Sequence, residues 1–167
     1  LGEWKHSLDN SRILGRVVGH RLKPYFSRSD ISQGALEGKI RPIVWLKSEI
    51  DAFFLHIQGS GRVVLPDGEV YRLGYAGKNG RKYYPIGRYL VEIGAIPKED
   101  ISMQSIKKWL KENPGMKKDV MNMNPSYVFF RKLKGNEGPI GAQGVVLTSG
   151  RSLAVDRQYS KLGAPIW

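Results

Sequence analysis

The sequence predicts a mainly β fold with helices, of the α+β class, in which strand-rich ends flank a helical middle. Two observations predict it. Apolar and polar residues alternate with period two between residues 53 and 75, as expected for paired strands. Between residues 85 and 123 the apolar residues recur instead with the period of an α-helix. This order is typical of an α+β protein or of a barrel that carries an insert.

The first elements predicted along the chain are a strand, a helix and a second strand. Residues 16–22 are β-prone and end at a Lys-Pro pair. Ser27 has the features of a helix N-cap, with Asp30 in the first turn and Gly38 as the stop. Residues 43–46, Ile-Val-Trp-Leu, have the β-branched content of a buried strand.

A β-hairpin is the clearest prediction in the middle of the chain. Residues 53–65 alternate between apolar and polar side chains, and residues 70–75 resume the pattern after the turn sequence Pro-Asp-Gly. We therefore predict that 53–65 and 70–75 pair as antiparallel strands. A glycine-spaced loop, residues 74–80, leads away from them.

Three helices and three short strands are predicted beyond this hairpin. Residues 85–93 place apolar side chains on one helical face, and Ser102 caps a helix over 102–113. A third helix is predicted over 116–123, between two prolines. The remaining apolar runs predict strands at 127–130, 145–147 and 153–155.

Composition excludes several classes of site. The chain has no cysteine, which removes disulfides, Cys-ligated zinc and thiol nucleophiles. The phosphate-loop and serine-elbow motifs are also absent from the sequence. His6, His20 and His56 stand apart, so we expect surface or strand-face roles for them, and no metal or cofactor is predicted. The longest apolar runs have four residues, far fewer than the roughly 20 that span a bilayer.

The chain is strongly basic, with 27 Lys and Arg against 15 Asp and Glu and a net charge of +12. These cations are scattered singly and in pairs, which is typical of solvated helix faces. An anionic partner is the alternative, and it could be a nucleic acid or a polymer bearing carboxylates.

One segment combines polar side chains with glycines and an aromatic ring. Its amide, hydroxyl and ammonium groups suit hydroxyls, acetamido groups and carboxylates, and its glycines allow close approach to the backbone. This combination suits a sugar chain, although a glycine-weakened strand with a β-bulge explains it equally well. The predicted substrate-binding residues are Gln58, Gly59, Ser60, Gly61, Tyr75, Lys78 and Asn79.

Six blocks of sequence, taken in order, resemble the membrane-bound lytic murein transglycosylase A family. The resemblance runs from about residue 15 to the end of the chain. Because the blocks occur in register, together they are far more specific than any one of them. They are FFLHIQGSGR at 53–62, GYAGKNG at 74–80, IGRYL at 86–90, SMQSI at 102–106, NPSYVFF at 124–130 and GRSLAVD at 150–156.

The resemblance implies a double-psi β-barrel interrupted by a β-barrel-like inserted domain, with the glycan bound between them. By similarity, residues 41–124 form the insert, and 1–40 with 125–167 form part of the barrel. The implied partner is peptidoglycan, with no nucleic acid, in the periplasm at the outer membrane. A lipid anchor would lie before Leu1, and the protein would be a monomer.

The implied reaction cuts between N-acetylmuramic acid and N-acetylglucosamine and leaves a 1,6-anhydromuramoyl end. The muramoyl 6-hydroxyl is a tethered nucleophile, so one acid/base suffices. In the family this group is an Asp in an Asp-x-Gly-Gly-Ala motif, whereas no two glycines are adjacent here.

We therefore expect no catalytic residue in this chain, the family Asp downstream of Trp167, and no activity from the chain alone. Asp156 is assigned a structural role. The alternatives are a non-catalytic peptidoglycan-binding module and a basic binder of single-stranded nucleic acid.

Overall fold

The computed structural model describes residues 2–5, 12–135, 138, 140–141, 143–153, 155 and 158–166. The chain divides into two units, Leu1–Leu133 and Lys134–Trp167. Within its described residues the first unit contains one six-stranded sheet and five α-helices. The predicted α+β class is therefore confirmed.

The sheet is built around one long central strand. Strand β5 pairs antiparallel with β4 and β6, and it forms a parallel bridge with β2 at Ile13 and Lys78. Strand β2 in turn pairs antiparallel with β1 and β3. These described strands do not close into a barrel. Their bounds are β1 Gly2–Lys5, β2 Arg12–Val18, β3 Arg21–Pro24, β4 Gly61–Val64, β5 Val70–Lys78 and β6 Val128–Leu133.

The sheet crosses both of the domain boundaries predicted from the sequence. Strand β5 lies within the predicted insert, residues 41–124, while its partners β2 and β6 lie on either side of it. The division of the chain at those boundaries stays a prediction.

The predicted hairpin is half right. Strands β4 and β5 pair from Gly61 opposite Leu73 to Val64 opposite Val70, with Gly68 at a positive φ of 84° in the turn. The prediction of a strand over residues 53–58 is wrong, because helix α2, Glu49–Gln58, occupies them.

Helix α2 forms because its longest apolar side chains have helical spacing. Ile50, Phe53 and Phe54 are buried on one face. At its start the Ser48 side chain accepts a hydrogen bond from the backbone N–H of Asp51 at 3.1 Å. The apparent alternation of residues 53–58 is therefore part of a helical face that is continuous with Ile50.

The other predicted helices are confirmed, with shifts at their ends. Ser27 caps the first of them through a reciprocal capping box with Asp30, but this helix ends at Ser32 rather than near Gly38. Ser102 forms a second capping box with Ser105. The bounds are α1 Arg28–Ser32, α3 Ile86–Glu92, α4 Met103–Glu112 and α5 Pro114–Asn122.

Two of the predicted strands differ from the structure. The β-prone run 16–22 is split by a turn at Gly19, so its two halves belong to the hairpin β2–β3. Residues 43–46 are not a strand, and Trp45 is 86% exposed. By contrast, the strand predicted at 127–130 is confirmed by β6.

The main hydrophobic core lies among helices α2 to α5. Burying each large aliphatic or aromatic side chain contributes roughly 1.5–3 kcal/mol, so these residues dominate the stability of this region. The core residues are Ile50, Phe53, Phe54, Ile86, Leu90, Ile96, Leu110, Val120 and Met121.

The second unit has little regular structure among its described residues. Ile140 and Val146 form an isolated antiparallel bridge. The strand predicted at 145–147 is therefore present only as this single bridge. Thr148 and Ser152 close a turn with a 3.0 Å hydrogen bond from the Thr148 N–H to the Ser152 Oγ. The described residues of the run predicted at 153–155 are not in a strand, and Asp156 lies outside the described residues.

Candidate functional site

Four of the predicted site residues form the turn that joins helix α2 to strand β4. Gln58 is the exposed last residue of the helix. Gly59 ends the helix with a φ of 75°, and its N–H donates to the Leu55 carbonyl at 2.9 Å. Ser60 is half-buried, and Gly61 begins β4. The structure therefore brings these residues together in a helix-to-strand turn rather than along one strand.

Both glycines of this turn have structural reasons to be glycine. The left-handed conformation of Gly59 disfavours any side chain. A Cβ on Gly61 would lie 2.5 Å from the Leu55 Cδ1 atom, so Gly61 allows the strand to approach helix α2. At Gly59, where a Cβ would meet only the Tyr75 ring at 4.0 Å, the missing side chain leaves the backbone open to a ligand.

Tyr75 and Lys78 lie on the neighbouring strand β5. A Cβ on Gly59 would be 4.0 Å from the Tyr75 Cδ2 atom, so the Tyr75 ring borders the turn. Lys78 is the last residue of β5 and lies opposite Val128 of β6. The register of β5 against β6 shifts between Tyr75 and Gly77. This irregularity fits the β-bulge that the sequence offered as an alternative for the segment.

Asn79 is placed differently from the prediction. Its side chain is fully buried, and its amide group makes hydrogen bonds only to the protein backbone. The Nδ2 group donates to the carbonyls of Phe26 and Pro125, both at 2.8 Å. The Oδ1 atom accepts from the N–H groups of Tyr127 at 2.9 Å and Arg81 at 3.3 Å. Asn79 therefore holds three chain segments together and does not present its amide to a ligand.

A second buried amide supports the same region. Asn124 is 1% exposed, and its Oδ1 atom accepts hydrogen bonds from the backbone N–H groups of Tyr84 and Ser126, each at 3.2 Å. Together, Asn79 and Asn124 fix the end of β5 against the segment that enters β6. This fixes the backbone on which Lys78 is carried.

Behind the turn lies a buried arginine. The Arg28 guanidinium donates from Nε to the Asn124 carbonyl at 3.0 Å and from Nη2 to the Ser126 carbonyl at 2.7 Å. It also lies over the Phe53 ring at 4.7 Å. No carboxylate pairs with Arg28 in the part of the chain that the structure describes. Burial lowers the pKa of Arg28 to about 10, so it stays charged at neutral pH.

His56 completes this cluster, contrary to the surface or strand-face role that the sequence suggested. Its Nδ1 atom lies 3.1 Å from the Arg28 Nη1 atom. Arginine only donates, so Nδ1 accepts and the neutral ring carries its proton on Nε2. Burial, reinforced by the charge of Arg28, lowers the pKa of His56 to about 3. The ring packs against Tyr127 at 4.2 Å and stacks on Phe130 at 5.5 Å between centroids.

The cluster of Arg28, His56, Asn124 and Tyr127 was not predicted as part of a site. Local patterns could not reveal it, because Arg28 and His56 are 28 residues apart and Arg28 reaches carbonyls 96 and 98 residues away. The available signals were two of the resembling blocks, since 53–62 contains His56 and 124–130 contains Asn124 and Tyr127.

The arrangement suits binding of a neutral polar ligand with aromatic surfaces nearby. The turn, whose Gln58 side chain is exposed, offers amide, hydroxyl and backbone groups beside the Tyr75 ring. Lys78 lies farther away, because it is at the end of β5, roughly 16 Å along the strand from the residue that pairs with Gly61. Within the described residues, no group of three or more metal-ligating side chains occurs. Among the described helices, none has the length and apolar character that a membrane span requires.

Comparison with known proteins identifies relatives of this chain. A family model described as the MltA specific insert domain matches residues 2–131. The membrane-bound lytic murein transglycosylase A of Vibrio cholerae is 35% identical over 143 residues, which cover 84% of this chain and 38% of that protein. The chain thus spans about two fifths of the length of this relative.

Solved structures agree with this assignment. The monoclinic crystal form of MltA from Neisseria gonorrhoeae is 44% identical, with a TM-score of 0.80 over 92% of this chain and 40% of that one. The Escherichia coli MltA structure with bound chitohexaose is 33% identical, with a TM-score of 0.73 over 87% of this chain and 47% of that one. The chain therefore belongs to the membrane-bound lytic murein transglycosylase A family, of which it carries the insert domain.

Proposed function

We propose that this chain is the glycan-binding part of a lytic transglycosylase that acts on peptidoglycan. The observation that carries the proposal is the open turn Gln58 to Gly61 beside the Tyr75 ring. Support comes from the Escherichia coli relative, whose structure contains a bound chitohexaose. An oligosaccharide of acetamido sugars has the chemistry that this turn can recognise.

The contacts follow from the chemistry of a sugar chain. The Gln58 amide both donates and accepts, so it can pair with an acetamido group, and the Ser60 hydroxyl can pair with a sugar hydroxyl. The Tyr75 ring offers an apolar face to a pyranose ring. We propose that Lys78, farther along β5, attracts a carboxylate of the lactyl group or stem peptide. Gly59 allows the ligand to approach the backbone.

For the whole protein, we propose cleavage between N-acetylmuramic acid and N-acetylglucosamine with formation of a 1,6-anhydromuramoyl end. The muramoyl 6-hydroxyl attacks C1 within its own sugar, and one carboxyl group first protonates the departing glycosidic oxygen and then takes the proton of the hydroxyl. We assign that carboxyl group to a part of the protein outside this chain. The chain alone then binds glycan and releases no anhydromuropeptide.

The wider setting is proposed from the family resemblance. We place the whole protein in the periplasm at the outer membrane, as a monomer held by a lipid anchor outside this chain. Its fold would be a double-psi β-barrel interrupted by the inserted domain. The name of the Vibrio cholerae relative, which includes membrane attachment and murein, supports this setting.

Glycan binding can be tested with the chain itself. Purified chain is sedimented with cell-wall sacculi, and its affinity for chitohexaose is measured by calorimetry. The double variant Gln58→Ala, Ser60→Ala removes two or more ligand hydrogen bonds worth about 0.5–1.5 kcal/mol each, so affinity falls roughly tenfold. The matched control is Gln104→Ala, an exposed glutamine on α4, which leaves binding unchanged.

Two results would contradict the proposal. One is unchanged chitohexaose affinity in a double variant that melts at the temperature of the parent chain. The other is stronger binding to single-stranded oligonucleotides than to sacculi at two salt concentrations. The net charge of +12 would then indicate a nucleic-acid partner. Release of anhydromuropeptides by the chain above a heat-killed control would overturn the assignment of the acid to another part of the protein.

A further inference from the structure

The ring of His56 carries a hydrogen-bond donor that no other described group uses. The Arg28 guanidinium donates to Nδ1 at 3.1 Å, so the proton of the neutral ring is on Nε2. Within the described residues this Nε2–H has no hydrogen-bond partner. Since the Arg16 Nε is the one buried polar side-chain atom without a partner among those residues, the unpartnered His56 Nε2 keeps exposed surface. A ligand can therefore contact it.

This donor lies on the same face of the sheet as the proposed glycan site. The His56 ring stacks on Phe130 of β6, with 5.5 Å between the ring centroids. Phe130 is directly opposite Tyr75 of β5, and opposite residues of an antiparallel pair project from the same face. Tyr75 in turn borders Gly59, since its Cδ2 atom is 4.0 Å from the position of a Cβ there. The His56 ring, the Tyr75 ring and the α2–β4 turn are therefore neighbours on one face.

The position of His56 on its helix also brings it close to the turn. His56 is three residues before Gly59, which corresponds to about 4.5 Å of rise along α2. His56, Tyr75 and Phe130 are all partly exposed. A sugar chain that lies on the turn and the Tyr75 ring is therefore within reach of the His56 donor.

Arg28 determines what kind of donor His56 is. A cation that donates to Nδ1 polarises the ring and strengthens the hydrogen bond that Nε2–H can make, as in other chains of hydrogen bonds. Burial and the charge of Arg28 lower the pKa of His56 to about 3, so the ring stays neutral at neutral pH. With Nδ1 already paired, the ring offers a ligand a donor and no acceptor. Such a group suits a carbonyl oxygen, which only accepts, better than a hydroxyl, which also donates.

We propose that His56 donates its Nε2–H to an acetamido carbonyl of the bound glycan and thereby selects N-acetylated sugars. The inference rests on the proposed function, because it assigns a further contact to the same glycan site. Arg28 fixes the tautomer from behind the ring and leaves the sugar to His56. The buried cluster behind the turn then takes part in recognition of the ligand as well as in folding.

The test removes this one donor and keeps the rest of the ring. His56 is replaced by Nε2-methylhistidine through amber suppression, which leaves Nδ1 able to accept from Arg28. We expect calorimetry to show about fivefold weaker binding of chitohexaose, as loss of one hydrogen bond requires. The melting temperature should equal that of the parent chain. The matched control is the same replacement at His20, which is exposed in the β2–β3 turn and should change neither quantity.

Nuclear magnetic resonance identifies the group on the sugar. In the complex of the parent chain with chitohexaose, we expect a nuclear Overhauser contact between the His56 Hε1 proton and an acetamido methyl group. The nitrogen shifts of the ring should place the proton on Nε2 before and after binding. Contacts to sugar ring protons alone, or a proton on Nδ1, would overturn the inference.

The outcomes separate this inference from the proposed function. If chitohexaose does not bind the parent chain, the proposed function fails and the inference fails with it. If the parent chain binds, and a methylated chain of equal melting temperature binds as tightly, the inference alone is overturned.

A second pair of variants applies if the methylated chain does not fold. In His56→Gln and His56→Glu the side chain can still accept from Arg28, but only glutamine can also donate. The glutamine variant should bind chitohexaose about fivefold more tightly than the glutamate variant. Equal affinities of the two variants would overturn the inference.

Discussion

The buried Arg28 and the half-buried His56 form a pair in which a guanidinium nitrogen donates to the imidazole Nδ1 atom over 3.1 Å. The pair joins the start of α1 to helix α2, and the remaining Arg28 donors reach the carbonyls of Asn124 and Ser126. Since protonation of Nδ1 would remove the acceptor and place two cations side by side, the arrangement requires a neutral histidine. The pair therefore links the stability of the site to pH.

The first prediction concerns that link. The pKa of His56 is about 3 in the folded chain, below its usual value of 6.5, so the unfolded state binds the proton more tightly. The stabilising contribution is complete above pH 6.5 and is lost as the pH falls towards 3, at about 1.4 kcal/mol per pH unit. Urea unfolding at pH 7.5, 6.0 and 5.0 measures it. His56→Gln should reduce the dependence of the unfolding free energy on pH. His20→Gln, at an exposed position, is the control and should leave that dependence unchanged.

The second prediction concerns Arg28 itself. Arg28→Met removes the hydrogen bonds that Arg28 donates to two backbone carbonyls and to His56. We expect a loss of about 2–4 kcal/mol in the free energy of unfolding. Arg88→Met, which breaks an exposed pair with Glu92, should have no measurable effect. Equal unfolding midpoints for the two variants in urea would show that the Arg28 contacts contribute nothing.

Asn79 is expected to act through stability rather than through ligand contacts. Asn79→Ala leaves the Phe26 carbonyl and two backbone N–H groups without partners, while the Pro125 carbonyl keeps the Arg28 N–H; this should cost about 2–4 kcal/mol of unfolding free energy. Asn122→Ala, which removes one exposed hydrogen bond to Ser32, is the control and should cost less than about 0.5 kcal/mol. If the Asn79→Ala chain has normal stability but binds chitohexaose more weakly, Asn79 contacts the ligand and this prediction is wrong.

Replacing a glycine by alanine should change stability in opposite directions at two positions, one in the α2–β4 turn and one in helix α5. Gly59→Ala forces a side chain into the left-handed region and should destabilise the chain by about 1–2 kcal/mol. Gly115 lies in helix α5, and a Cβ there meets nothing within 4 Å, so Gly115→Ala should stabilise by about 0.5–1 kcal/mol. Thermal unfolding of both variants checks the pair, and a stabilised Gly59→Ala would contradict the cap.

Local signals predicted the elements that depend on neighbours in sequence. Ser27 and Ser102 were found as caps because a cap is decided within four residues. The run 53–58 was misjudged, since three alternating apolar residues fit both a strand and one face of a helix. Including Ile50, the cap at Ser48 and the stop at Gly59 would have favoured the helix.

The candidate site was predictable only in part, for a related reason. Gln58, Gly59, Ser60 and Gly61 are contiguous and lead into β4, and Tyr75 lies on β5, which pairs with β4 as a hairpin, so the sequence places them near each other. The burial of Asn79 depends instead on segments 46 and 53 residues away. The local hydrophobic pattern carries no information about such long-range contacts. The Asn79 amide, in a glycine-rich loop, was therefore interpreted as a ligand-binding group.

The central position of β5 has a consequence for synthesis of the chain on the ribosome. One edge of β5 pairs with β4 soon after both emerge, whereas its other edge waits for β6, Val128–Leu133. At about 5–20 residues per second, that edge stays unpaired for several seconds. During this interval its free N–H and C=O groups are open to association with other nascent chains. Helices α3 to α5, which are made in the interval, can fold from local contacts and are then in place when β6 arrives.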